Sequence, residues 1–136
     1  MASLFTRIID GELPGRFVYR GERTVAFLTI APIRPGHVLV VPRVEVDDWL
    51  DLSVADREDL FAAAHLVGSA VRAAFPCRRV ALLAVGLEVP HVHLHLIPID
   101  RESDVDFAQA DPGVSAAALD EVAKRVRVAL GDAAAP

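Results

Sequence analysis

Apolar residues recur along the chain in two rhythms. Between positions 89 and 98 the rhythm is two: Val92, Leu94 and Leu96 alternate with His91, His93 and His95. Successive side chains of a strand point to opposite faces, so this stretch predicts a strand with one apolar face and one imidazole face. Such an imidazole row belongs on an accessible surface or in a cleft, held by an apolar face on a core. Segments 16–20 and 24–28 read as a hairpin around the turn Gly21-Glu22-Arg23. Segment 37–41 is β-branched, apolar on both faces and stopped by Pro42, which predicts a third, central strand. Segment 79–85 reads as a fourth strand, and Gly86-Leu87-Glu88 turns it into the histidine strand, the fifth.

The second rhythm is helical. Leu60, Ala63, Ala64, Val67 and Val71 recur at three and four, giving one apolar stripe. Ser53 and Asp56 have the form of a capping box, and Pro76 stops the helix near Phe75. His65 falls on the surface of that helix. A short N-terminal helix starts at Ser3 and closes at Gly11, with Phe5, Ile8 and Ile9 on one face. An acidic, irregular stretch over 100–113 carries Phe107 and reads as a dimer contact or surface loop. The last helix begins near Ser115, buries Leu119, Val122, Ala123, Val126 and Leu130, and ends at Gly131 and the following alanines. Strands run together with helices between and after them, which predicts an α+β fold with an antiparallel sheet.

Length and composition narrow the class. The 136 residues suit one domain, 1–136, with a real core. No apolar run approaches a membrane span, and the N-terminus lacks the pattern of a signal peptide. A single cysteine, Cys77, excludes an internal disulfide and a cysteine-rich zinc site. Cytoplasmic localisation follows as the default expectation. The net charge of −5, with no Lys/Arg run, disfavours nucleic-acid polymers, whose binding rests on phosphate neutralisation. A small anionic ligand stays compatible with a locally positive site.

Two chemistries fit an alternating histidine row. Alternate histidines on a strand place two nitrogens on one Zn²⁺, but a site needs a third and usually a fourth ligand. Only the distant His37 offers one, so no metal is expected. In the other chemistry the middle histidine is a nucleophile. Imidazole attacks phosphorus and forms an N–P bond that water later breaks, splitting one difficult displacement into two easier ones. A neighbouring histidine on the same face donates to a phosphate oxygen or protonates the leaving group.

His91-Val92-His93-Leu94-His95-Leu96-Ile97 resembles the signature of the histidine triad, or HIT, superfamily, in which histidines alternate with apolar residues. The likeness extends over about residues 3–98. Residues 4–14, 25–32 and 35–42 look like the family's N-terminal blocks, and the 53–75 helix falls where the family has one. The resemblance implies a HIT-like fold: a five-stranded antiparallel sheet with two main helices, in a dimer with joined sheets. It implies binding of purine nucleotides or their conjugates and reaction at the α-phosphate. Typical substrates are nucleoside phosphoramidates, aminoacyl adenylates and dinucleoside polyphosphates. Carried onto this chain, His93 is the nucleophile that forms a nucleotidyl-histidine, and His95 contacts the phosphate. His91 and His37 orient the nucleophile through a hydrogen-bond chain. Leu4, Phe5, Ile8, Phe27 and Ile30 form the slot for the base, while Gly86 and Val89 lie where the family uses backbone around the phosphate. No cofactor is implied.

This chain departs from the family at its substrate contacts. Thr29 stands where many members hold the ribose with Asp, and a hydroxyl accepts less strongly than a carboxylate. Leu87 and Glu88 replace Gln and Ser/Thr before the first histidine. Leu87 cannot hydrogen-bond a leaving group, and Glu88, if inward, sets an anion beside a phosphate. The chain contains no Asn, so the family's upstream Asn has no counterpart. Ser3 and Thr6 replace the two cysteines that bind zinc in some relatives. Two functional readings follow: a hydrolase or transferase with altered leaving-group preference, with Glu88 serving as an acid or recognising an amine, or a nucleotide-binding protein with weak or no catalysis.

Overall fold

A computed structural model describes residues 2–131. Met1 and the alanines expected to follow the last helix lie outside the described residues. Five strands form one antiparallel sheet: β1 (Phe17–Arg20), β2 (Thr24–Leu28), β3 (Val38–Pro42), β4 (Arg79–Leu83) and β5 (Leu94–Ile99). Their spatial order is β1-β2-β3-β5-β4, so the segment with apolar residues on both faces is indeed the middle strand. All five of its residues are buried. Three α-helices complete the fold: α1 (Leu4–Ile9), α2 (Val54–Ala74) and α3 (Ala116–Leu130).

The two faces of the sheet have separate cores. On one face α2 and α3 bury Leu60, Val67, Val71, Leu119 and Val126 against Val38, Val40, Val92, Leu94 and Leu96. On the other face Phe5 of α1 closes over Phe17, Val25, Phe27, Leu39 and Val41. The short α1 could not stand alone in water. It is held by its cap, where Ser3 Oγ accepts from Thr6 N–H, and by the packing of Phe5. Ser53 caps α2 in the same way by accepting from Asp56 N–H, a contact worth about 1 kcal/mol.

The ladder corrects three expectations. β5 starts only at Leu94, so His91, Val92 and His93 precede the paired strand. Their side chains keep the alternation nonetheless, because Val92 N–H donates to Val46 carbonyl at 2.7 Å and holds this stretch extended. β4 ends at Leu83, not at position 85, and the connection to the triad spans 84–93 instead of a three-residue turn. β4 lies at the sheet edge, where pairing on one side alone leaves Leu82 half-exposed. The 100–113 stretch is also more ordered than expected. It contains two 3-10 turns, Glu102–Asp104 and Phe107–Gln109, and Arg34 clasps Asp100 and Asp104 at 3.2 and 2.8 Å.

Truncating Leu60 tests the larger core. The side chain is fully buried between α2 and the sheet. Leu60→Ala should cost about 3 kcal/mol of unfolding free energy, read as a lower midpoint in urea with an unchanged slope.

Candidate active site

The second face of the sheet brings four histidines together. Gly36 sets the first of them. Its φ of +98° is open to glycine, and an added Cβ would meet the Phe75 ring at 2.8 Å and Pro98 at 3.1 Å. The chain therefore enters β3 closely packed, with His37 on the same face as Leu39. Leu39 pairs with His95 across the ladder. His37 Nε2 lies 2.9 Å from His95 Nδ1. The His95 ring centroid lies 4.9 Å from that of His93.

Fixed backbone groups assign the protons on these rings. Ile33 N–H donates to His37 Nδ1 at 3.1 Å, so neutral His37 carries its proton on Nε2. That proton is donated to His95 Nδ1, which leaves neutral His95 with an Nε2–H. His93 has the opposite tautomer. Its Nδ1–H donates to the His91 carbonyl at 2.8 Å, so the lone pair lies on Nε2. This Nε2 has no hydrogen-bond partner among the described residues, although the residue is only 8% exposed. A nucleophilic nitrogen and an N–H donor thus stand side by side.

The rings are also kept uncharged. Burial pushes His93 below the usual imidazole value, against the His91 carbonyl and Glu88, which favour the protonated ring. Burial, with His93 alongside, takes His95 down to about 4. Burial, with His95 alongside, takes His37 down to about 3.

The hydrogen-bond chain expected through His91 and His37 takes a different course. His37 bonds to His95 and not to His93. His91 reaches the His93 ring through its backbone carbonyl, while its own ring faces away. That ring is fully buried, contrary to an accessible histidine row. Its Nε2–H donates to the Pro42 carbonyl at 2.7 Å, and its Nδ1 lies 2.7 Å from Ser3 Oγ. Glu45 completes this cluster, accepting from Ser3 N–H at 2.6 Å and Thr6 hydroxyl at 2.7 Å. Those donors hold the Glu45 carboxyl below its ordinary value. Zinc takes thiolates, carboxylates and free imidazole nitrogens; of this cluster only the Glu45 carboxylate is such a donor, since Ser3 and Thr6 offer neutral hydroxyls and both His91 nitrogens are engaged, so the set does not fit a zinc ion.

The other singled-out residues divide. Phe5 stands edge-on to His93 with centroids 4.8 Å apart and contacts Phe27 at 5.6 Å. Ile8 and Val89 pack on the same cluster. Leu4 is half-exposed, and Ile30 is 73% exposed and outside both cores. Thr29 accepts from Ala31 N–H at 3.2 Å and lines a separate cavity with Pro32, Ile33 and His37. Gly86 borders a cleft that ends at His93, while Glu88 is exposed and does not line that cleft. Arg34 and Arg43 are not at hand for a phosphate. The first is clasped by Asp100 and Asp104, and the second donates to Gly21 carbonyl.

Three contributions escaped sequence reasoning. Phe107 of the acidic stretch lies edge-on to His95, with centroids 5.0 Å apart. The stretch read as a dimer contact or surface loop thus also reaches the site, and it delivers a ring, not a charge. Glu45 has no local signal, since its partners lie in α1. Asp47, Asp48 and Trp49 join the cleft beside His93 only through the tertiary fold.

Comparison with known proteins follows the geometry. The HIT domain family model matches residues 10–102. A HIT-like protein of Saccharolobus solfataricus is 35% identical over 70% of this chain and 72% of its own length. The asymmetrical bis(5′-nucleosyl)-tetraphosphatase of Schizosaccharomyces pombe is 34% identical over 68% of this chain, which spans 52% of that enzyme. A HIT-like protein from Bartonella henselae has a crystal structure that superposes with a TM-score of 0.83 at 26% identity. That match covers 93% of this chain and 95% of the other.

The buried neutral imidazoles make folding stability depend on pH. Their folded values lie below the unfolded value of about 6.5, so the unfolded chain binds more protons on acidification. Stability should be full above about pH 6.5 and fall as pH drops toward 4. Urea midpoints at pH 7 and pH 4.5 check this, and His37→Gln should reduce the difference.

Proposed function

The chain belongs to the HIT domain family, and from that premise we propose a nucleotide hydrolase or transferase that works through a nucleotidyl-His93 intermediate. The observation that carries the reading is the pair of neighbouring rings: an unpartnered Nε2 lone pair on His93 beside the Nε2–H of His95. The substrate is a purine nucleoside phosphoramidate, aminoacyl adenylate or dinucleoside polyphosphate, attacked at its α-phosphate. Related proteins support hydrolysis of this class, since the Schizosaccharomyces pombe relative is named a bis(5′-nucleosyl)-tetraphosphatase.

His93 Nε2 attacks phosphorus, an N–P bond forms, and the bond to the leaving group breaks with its electron pair on the leaving atom, which takes a proton from solvent as it departs. Nδ1–H stays on the His91 carbonyl, which spreads the positive charge that the ring acquires. His95 Nε2–H donates to a non-bridging phosphate oxygen. Water then attacks phosphorus, the N–P bond breaks and the pair returns to Nε2. For a phosphoramidate, one water is consumed. Its oxygen ends on phosphorus and its two hydrogens on the nitrogen, which departs as ammonium.

The base lies along Phe5, Ile8 and Phe27, with Leu4 and Ile30 at the solvent margin. Thr29 meets the ribose, and the backbone of Gly86 and Val89 borders the phosphate. The dimer joins β4 edges, which carry the half-exposed Leu82. The protein acts in the cytoplasm; no helix among the described residues is long and apolar enough to cross a membrane. A binding protein with weak turnover is the second reading. Thr29 favours it, because its hydroxyl oxygen already accepts from Ala31 N–H.

Turnover of adenosine and guanosine 5′-phosphoramidates decides between them. Wild-type protein should release nucleoside monophosphate, and His93→Ala should lose activity by at least about 1,000-fold. Mass spectrometry of acid-free quenched enzyme should find the nucleotidyl adduct on His93. Binding without turnover supports the second reading, and equal turnover by both proteins rejects His93 as nucleophile.

A further inference from the structure

His93 and Gly86 line a cleft of about 320 Å³ whose other lining residues the proposed mechanism does not use. Its walls are Asp47, Asp48, Trp49 and Leu50 on one side and Ala84, Val85, Gly86 and Leu87 on the other, with Val92 and His93 at the base. The two walls come from the ends of β3 and β4. Gly86, at φ +69°, turns the second wall without a side chain. Asp48 Oδ1 accepts from Leu50 N–H at 2.9 Å, which fixes its carboxylate as the cap of the turn Trp49–Asp51. Asp47 has no hydrogen-bond or ion-pair partner among the described residues. No Lys or Arg lines the cleft. The third acid nearby, Glu88, acts on His93 through its charge.

We propose that this cleft is the leaving-group subsite and that it selects amines carrying a second positive charge. The inference rests on the nucleotidyl-His93 reading and narrows its substrate class. His93 lines the cleft and its Nε2 has no hydrogen-bond partner among the described residues, so a group bonded to phosphorus there has this space to enter. An anionic polyphosphate meets two carboxylates and no cation. An alkyl chain ending in ammonium lies along Trp49, Val85 and Leu87 and sets its charge between Asp47 and Asp48. The Trp49 ring face suits a cation as well as a methylene chain.

Two adenosine 5′-phosphoramidates test the subsite, one of 1,4-diaminobutane and one of n-pentylamine. They share chain length and exchange a terminal ammonium for a methyl. For wild-type protein at low salt, kcat/KM should favour the diamine conjugate by about 10-fold or more, and the ratio should shrink at ~0.5 M salt. In the double variant Asp47→Asn, Asp48→Asn the ratio should fall to about one; asparagine keeps the cap. A wild-type ratio of one, or a ratio untouched by the double variant, overturns the subsite while leaving the enzyme reading intact. Silence toward both conjugates overturns the enzyme reading. Calorimetric Kd values for the same two conjugates then judge the subsite alone, and equal affinities overturn it.

Discussion

The hydrogen bond from His93 Nδ1–H to the His91 carbonyl is the contact on which the site depends. It places the lone pair of the His93 ring on Nε2, where no group among the described residues competes for it. A carbonyl can do this only if its peptide cannot rotate. Here both sides of the peptide are tied: Val92 N–H to Val46, and the His91 ring between Ser3 and Pro42. Ser3 therefore serves two purposes, capping α1 and holding His91. The short helix and the reactive ring share one network, with Glu45 at its outer end.

Neutrality is the second condition, and packing supplies it. Phe5 lies on one edge of the imidazole row and Phe107 on the other. Each ring excludes water that would stabilise an imidazolium, so His93 and His95 stay neutral and complementary in their protons. The site then has an N–H donor but no nearby guanidinium, because Arg34 is spent on Asp100 and Asp104. That clasp is not idle. It anchors the stretch that carries Phe107, so the arginine contributes to the site through folding and not through contact with phosphate.

How much of this was legible depended on whether the signal was local. The alternation of Val92, Leu94 and Leu96 with the histidines identified the two faces, and the caps at Ser3, Ser53 and Ser115 marked three helix starts. β3 was readable as central because nothing polar interrupts it. The depth of His91 was not readable. Periodicity gives a face but not what covers it, and α1 with Pro42 covers this one. Nor did spacing reveal that His37 pairs with His95, since the Leu39–His95 register is a property of the ladder. The acidic stretch misled for a related reason. Its charges dominated the reading, while one aromatic residue, aimed by the short turn capped at Asp106, makes the contact with the site.

Carboxylates beside a nucleophile that attacks phosphate look self-defeating, and in a uniform field they would be. The field here is not uniform. In the proposed reaction His95 Nε2–H is the donor toward phosphate, while Asp47 and Asp48 belong to the cleft walls. A substrate with its anion at phosphorus and a cation further along the leaving group is oriented by this asymmetry. Attraction that is equal before and during reaction lowers KM alone. The same attraction would retain the ammonium product in a closed pocket. Asp47 and Asp48 are exposed, and solvent screening at that depth weakens their hold once the covalent link to phosphorus is gone.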